Sequence, residues 1–155
     1  MAILIRGATQ CGICHKVIGD NDAVTMFSHF VANELDPLLR FSDASFHEPC
    51  FRRDPLAPRA QAVWDACKAV KMICRHCGKP IEDPDDHFPF VYFSDDPRDP
   101  AFKLNALQFH ESCLRTWTGR REALDILVEL RSSGKWKGRA MDSMIEVLQR
   151  SQASA

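Results

Sequence analysis

The sequence predicts a small α+β protein assembled from two tandem copies of one unit, followed by an extra C-terminal helix. Three observations predict it. The word Phe46-His47-Glu48-Pro49-Cys50 recurs as Phe109-His110-Glu111-Ser112-Cys113, 63 residues later. A Cys-x2-Cys pair, Cys11/Cys14 and then Cys74/Cys77, precedes each copy at the same offset, so both halves read Cys-x2-Cys-x32-His-x2-Cys. Matched residues also lie between these words: Ile18/Ile81, Asp22/Asp85, Phe27/Phe90, Phe30/Phe93 and Asp36-Pro37/Asp99-Pro100. Two copies of one core would retain such apolar pairs, and fixed-period self-similarity sets the architecture before anything else does. We divide the chain into a first unit over 1–72, a second over 73–136, and a C-terminal helix with its tail over 137–155.

Each unit opens on its Cys pair, at a tight turn. Polar breakers follow, Gly19-Asp20-Asn21-Asp22 in the first unit and Glu82 to Asp86 in the second. Strand-like runs come next, Ala23 to Phe27 and Phe88 to Phe93, rich in aromatic and β-branched side chains. The Asp-Pro segments predict a turn. The runs Leu38-Leu39-Arg40-Phe41 and Ala101-Phe102-Lys103-Leu104 predict the second strand of a hairpin that leads into the Phe-His-Glu-x-Cys word.

Past that word both units turn helical. In the second unit Leu114, Trp117, Leu124, Leu127 and Val128 form one apolar stripe, and Gly134 supplies a stop. In the first, Asp54-Pro55 and Ala57-Pro58 interrupt the helix, which restarts with Pro58 in its first turn and runs through Val63, Trp64, Cys67 and Val70. Arg139 to Arg150 reads as a further helix with Met141, Met144, Ile145 and Leu148 on one face. Met1 to Ile5 is expected to add a strand or pack on the first unit, and Ser151 to Ala155 to fray.

Composition narrows the class. The 155 residues are 45% hydrophobic and 26% charged, ordinary values for a globular chain. No apolar run approaches a membrane span and no leader is visible, so a cytoplasmic protein is expected. Seven cysteines, an odd number, in Cys-x2-Cys spacing favour metal thiolates over disulfides. Formal charge is −1. Two Zn²⁺, each held by three thiolates, would bring it to about −3, no footprint for a polyanion.

The ligand set is chemically coherent. Zinc takes four ligands in a tetrahedron, and Cys3His is a common structural set. A Cys-x2-Cys turn converges two sulfurs, and His-x2-Cys on a helix's first turn places two more ligands on one side. The helix dipole favours the anionic cluster at that end, and Glu48 and Glu111 sit there for the same reason. The predicted sites are Cys11, Cys14, His47 and Cys50 for one zinc, and Cys74, Cys77, His110 and Cys113 for another. Self-contained copies need no crossing of ligands between units, although the spacing also allows it. His15 and His76 flank the Cys pairs but lie outside the duplicated spacing. Four good ligands leave no open position for water, so a catalytic zinc is not expected.

This arrangement resembles the treble-clef zinc fingers, in particular the first zinc site of LIM and RING domains. Phe46-His47-Glu48-Pro49-Cys50-Phe51 is similar to the LIM pattern. Phe109 to Trp117, with its Trp four residues past Cys113, is similar to the RING pattern. The resemblance implies a zinc knuckle, a β-hairpin and a helix in each unit. LIM and RING domains hold a second zinc through further Cys or His pairs. Here no Cys follows Cys113, and only Cys67 lies between Cys50 and Cys74, so each unit matches half of either family. In RING domains an apolar residue inside the first Cys pair and the helical Trp dock a ubiquitin-conjugating enzyme. Ile13 and Trp117 carry those features here, in different units.

The function expected is therefore that of a non-catalytic adaptor, regulator or inhibitor that binds another protein. Ile13, Trp117, Met141 and Met144 are its candidate contacts. A RING-like ubiquitin-ligase component is the alternative, and a nucleic-acid-binding finger using Gly134 to Arg139 is a second one.

Overall fold

The structure, a computed structural model, describes residues 3–150. The chain forms two compact units. One comprises Met1–Val31 and Asp36–Ala69, and the other comprises Ala32–Leu35 and Val70–Ala155.

In the first unit β1 (Val24–Phe27) pairs antiparallel with β2 (Ala44–His47), Val24 opposite His47 and Phe27 opposite Ala44. The second unit repeats this with β3 (His87–Pro89) and β4 (Gln108–His110), His87 opposite His110. Both hairpins share one register, with His47 and His110 each opposite the first residue of the partner strand. A one-residue slip would turn every side chain over, so the shared register carries the shared core.

The segments Leu38 to Phe41 and Ala101 to Leu104 are not the second strands. They lie in 3-10 turns, Pro37–Phe41 and Pro100–Leu104. The reason is local. Asp36 and Asp99 accept hydrogen bonds from the Leu38 and Ala101 amides at 2.8 and 2.9 Å, and the following proline presets φ for a helical start. Capping chemistry overrides the β-like composition. The run expected as a strand from Phe88 to Phe93 keeps its ladder only as far as Pro89. Single bonds such as Phe90 N–H to Leu107 O, 2.7 Å, continue the hairpin irregularly.

One clamp recurs with different chemistry. Ser42 Oγ accepts from the Phe30 and Val31 amides at 3.0 and 3.2 Å. At the matched place Asn105 Oδ1 accepts from Phe93 and Ser94 at 2.7 and 3.2 Å. The next residues, Asp43 and Ala106, share a left-handed backbone at φ 54° and 53°. The duplication thus persists in the backbone where the side chains have diverged.

Helix α1 (Glu48–Arg53) ends at Asp54, whose carboxylate caps the Leu56 amide and pairs with Arg40 at 2.5 Å. Helix α2 (Ala57–Lys68) follows with Pro58 in its first turn, and Val70 lies beyond its end. The second unit has a one-turn α3 (Glu111–Leu114), a break, and then α4 (Arg120–Ser132), which Gly134 terminates at φ 70°. Within α4 Val128 faces outward, 42% exposed, while Leu124 and Leu127 are buried. Helix α5 (Arg139–Arg150) lies in the second unit, and its Met141, Met144, Ile145 and Leu148 enter that unit's core.

Phe27 centres the first core, fully buried among Phe30, Phe41, Phe46, Phe51 and Trp64, with ring centroids 5.1 to 6.4 Å away. Phe90 centres the second, against Phe88, Phe93, Phe109 and Trp117. The two tryptophans do not align in sequence, since Asp54 stands opposite Trp117 and Leu127 opposite Trp64. Each nevertheless meets its central Phe edge-on, at 86° and 84°. One packing solution is reached from helix α2 in the first unit and from the break between α3 and α4 in the second.

Ala32 to Leu35 joins the second unit through polar contacts near the start of α5. The Glu34 amide donates to Lys137 O at 2.8 Å, the Lys137 amide to Asn33 Oδ1 at 3.0 Å, and Asn33 Nδ2 to Lys135 O at 3.0 Å. Ile3 and Ile5 are exposed and outside any strand, while Met1 and Ala2, with the tail 151–155, lie outside the described residues. Among the described residues no helix is long and apolar enough to cross a membrane.

Candidate metal centres

Each Cys pair sits on a knuckle closed by its own backbone. The Cys11 amide donates to Lys16 O and the His15 amide to Cys11 O, both at 2.9 Å. In the second unit Cys74 and Gly78 make the same bonds at 2.9 Å. The turn requires a left-handed residue just after the second cysteine, supplied by Gly78 at φ 70° and by His15 at φ 59°. His15 is thus a strained turn residue. The knuckle is tied to the hairpin by the Gly12 amide on Ser45 O and the Arg75 amide on Gln108 O, at 3.0 and 2.7 Å.

The hairpin's last residue and the helix's first turn deliver the other two ligands. His47 and His110 are the N-cap residues of α1 and α3, which places Cys50 and Cys113 three positions on, over the same side. The eight predicted ligands fall into two groups, Cys11, Cys14, His47 and Cys50, and Cys74, Cys77, His110 and Cys113. Within each group all ligand atoms lie within 4.8 Å of one another. Ligands therefore pair within units. His47 Nδ1 stands 3.4 Å from Cys14 Sγ, and His110 Nδ1 stands 3.5 Å from Cys77 Sγ and 3.9 Å from Cys113 Sγ. A tetrahedron with metal–sulfur bonds of about 2.3 Å has edges of about 3.8 Å, so the cages are sized for a metal ion.

Electrostatics agrees with that fit. Burial pushes the Cys11 thiol up, but the amides of Cys14, Ile13 and His47 outweigh it and draw the thiol down to about 6. At Cys74 burial is likewise outweighed by the amides of Cys77, His110 and His76, again to about 6. One sulfur per cage is therefore a prepared thiolate, each accepting a histidine amide at 3.4 Å. Burial and then the neighbouring cysteine sulfurs push Cys50 and Cys113 up to about 11. Crowding several sulfurs without a cation produces that split, and a bound cation would relieve it. His47 is raised by the sulfurs of Cys14 and Cys11, and His110 by those of Cys74 and Cys77. Three soft sulfurs and one imidazole suit a borderline or soft metal rather than calcium or magnesium.

The other singled-out residues fare differently. Ile13 is half-buried inside its knuckle. Trp117 is half-buried as well, its ring 4.6 Å from Phe109, so much of it serves the core. Met141 and Met144 are 0% and 5% exposed. Their packing role corrects the expectation of a contact surface, because the face they share is covered within the second unit. His76 Nε2 lies 3.3 Å from Thr116 Oγ1 and is outside the second cage's ligand group.

Sequence reasoning missed the groups that hold the imidazoles of the two clusters. Asp22 Oδ2 lies 3.2 Å from His47 Nε2, and Pro80 O lies 3.1 Å from His110 Nε2. The Asp22/Asp85 match was a signal, but only Asp22 reaches its histidine. No family model, curated protein or solved structure matches this chain.

Proposed function

We propose that this chain is a non-catalytic zinc protein of two treble-clef-like units that presents a rigid surface to a protein partner, as an adaptor, regulator or inhibitor. The observation that carries the reading is the pair of complete four-ligand cages, each assembled from a knuckle, a hairpin end and a helix start. A cage whose four positions are all protein side chains holds structure together and leaves no position for a reacting water. Zinc is the ion that three thiolates and one imidazole suit best. Apparent binding of about 10–16 kcal/mol per structural site in zinc-finger peptides is the scale involved, enough to stabilise units this small.

A protein partner is supported by charge, since about −3 in the metallated state disfavours polyanions. A cytoplasmic setting is supported by the thiolate usage. The zinc-loaded chain, used at known concentration with cross-linking, should yield one protein species in fixed stoichiometry that is lost on chelation. Retention on DNA that falls with salt would replace the reading with nucleic-acid binding. Discharge of ubiquitin from a charged conjugating enzyme would replace it with ligase function.

A further inference from the structure

The two cages have the same ligands and different supports. In the first, Nδ1 of His47 faces the sulfurs, so the ring proton lies on Nε2 and is donated to the Asp22 carboxylate, 3.2 Å away. Asp22 is itself oriented, accepting the Gly19 amide at 2.6 Å on the same oxygen, and its backbone carbonyl accepts from Arg6 at 3.1 Å. In the second cage His110 Nε2 meets the neutral carbonyl of Pro80 at 3.1 Å, and the Asp86 carboxylate acts on it through space without a hydrogen bond to the ring. The nearby carboxylate, Asp86, is used elsewhere, accepting the Ser112 amide at 3.0 Å and lying 3.2 Å from its hydroxyl.

The helix starts also differ in sequence. Position 49 in the first unit is Pro, which has no amide for a carboxylate to cap, and the matched position 112 is Ser, which has one. Asp86, one position past the Asp85 that matches Asp22, caps α3 there. Exposure differs too: Cys14 is half-buried and Cys77 is exposed.

We propose that Asp22 is a positioning residue that makes the first cage the retained metal site, and that the second cage, lacking such a carboxylate, is the exchangeable one that yields its metal first to a competing chelator. This rests on the zinc reading above. A carboxylate on a ligating imidazole fixes its tautomer and raises its basicity, and losing such a partner typically costs about 10–100-fold in metal affinity. Access alone does not set the order, because Cys14, His47 and Cys50 also line an open cavity of about 380 Å³. The second unit has a reason to survive the loss, as α5 adds Met141, Met144, Ile145 and Leu148 to its core. Metal exchange there can alter the knuckle around Cys77 while leaving the unit folded.

The test uses the full chain loaded with zinc, its metal content measured first. A chromophoric chelator, 4-(2-pyridylazo)resorcinol, follows release, and timed alkylation with peptide mass spectrometry assigns each phase to its cysteines. Two phases are expected, with Cys77 and Cys113 labelled in the fast one and Cys14 and Cys50 in the slow one. Asp22→Asn keeps an oxygen for the Gly19 amide but loses the carboxylate, and should speed the slow phase about 10–100-fold. Asp22→Glu should recover part of the loss, and Asp86→Asn should leave the slow phase unchanged. In the cobalt-loaded protein, Asp22→Asn should shift only the spectral component that survives the fast phase. Two bound metal ions that leave in one phase, or Cys14 and Cys50 labelled first, would overturn the inference while sparing the zinc reading. So would a slow phase indifferent to Asp22→Asn. Uptake of fewer than two metal ions would instead overturn the zinc reading itself.

Discussion

Gly138 offers the sharpest mutational test of how the second unit is built. It sits at the start of α5 with φ 126°, a conformation that L side chains rarely adopt, and a Cβ there would lie 2.9 Å from the Ala32 carbonyl oxygen. That oxygen is backbone, held in a segment whose Glu34 amide is bonded to Lys137 O and whose Asn33 accepts the Lys137 amide. It cannot turn aside as the tip of a side chain would. Backbone strain of about 1–3 kcal/mol and overpacking of about 1–3 kcal/mol together put Gly138→Ala at about 2–6 kcal/mol of lost stability. For a unit of this size that is a fall of at least about 8 °C in the midpoint of thermal unfolding. Gly134→Ala is the control. It also has positive φ, 70°, but a Cβ there meets nothing within 4 Å, so about 1 kcal/mol is expected. Circular dichroism melts of the zinc-loaded proteins read the difference. Hydrogen exchange should show the Glu34 and Lys137 amides losing protection in Gly138→Ala alone. A Gly138→Ala protein that melts within about 2 °C of wild type, or no lower than Gly134→Ala, would refute the reasoning.

Other expectations follow from the same geometry. Phe27→Ala removes a fully buried ring with five aromatic neighbours and should cost about 3–5 kcal/mol by denaturant titration, whereas Phe102→Ala, at a ring 40% exposed, should cost under about 1 kcal/mol. His15→Gly relieves a left-handed histidine and should gain about 0.5–1 kcal/mol with metal content unchanged; loss of one metal would mean that His15 ligates. Cys50 and Cys113, held up at about 11 without metal, are protonated at neutral pH, so each metal ion taken up should release at least one proton. Affinity should therefore rise with pH across the neutral range, and calorimetry in two buffers of different ionisation enthalpy that found no proton release would contradict this. In the metal-free protein Cys11 and Cys74 have lowered pKa values, so the stability they contribute is present above the ordinary thiol pKa and is lost as pH falls through about 6.

The two candidate ligand sets were legible in the sequence because coordination fixes spacing, and chance seldom writes the same four-ligand spacing twice. Helix α5 was legible because Met141, Met144, Ile145 and Leu148 recur at helical intervals with nothing to interrupt them. The hairpins were only half legible. Leu38 to Phe41 has the composition of a strand, but the Asp-Pro cap beside it folds it into a 3-10 turn, and the true strand lies three residues on. Trp64 and Trp117 illustrate a second limit. Alignment of the copies sets Trp117 against Asp54, yet packing places Trp64 against Phe27 as Trp117 lies against Phe90. A core conserves a filled volume, and a ring can reach that volume from a helix, as Trp64 does, or from a loop, as Trp117 does. The supports of the two histidines were legible only as the Asp22/Asp85 match, which holds for one copy. A carboxylate can satisfy an imidazole or a helix amide: Asp22 does the first, while Asp86, one position past the matched Asp85, does the second at Ser112, where the first copy has Pro49.

Two independent metal cages, one in each unit and built from eight side chains, are the centre of this architecture. Native mass spectrometry of the chain purified under reducing conditions, alone and as Cys50→Ser and Cys113→Ser, tests them most directly. Two zinc ions are predicted on the wild type and one on each variant, the survivor lying in the unaltered unit. A wild-type chain that binds one zinc or none, or variants that keep both, would contradict the two-cage assignment.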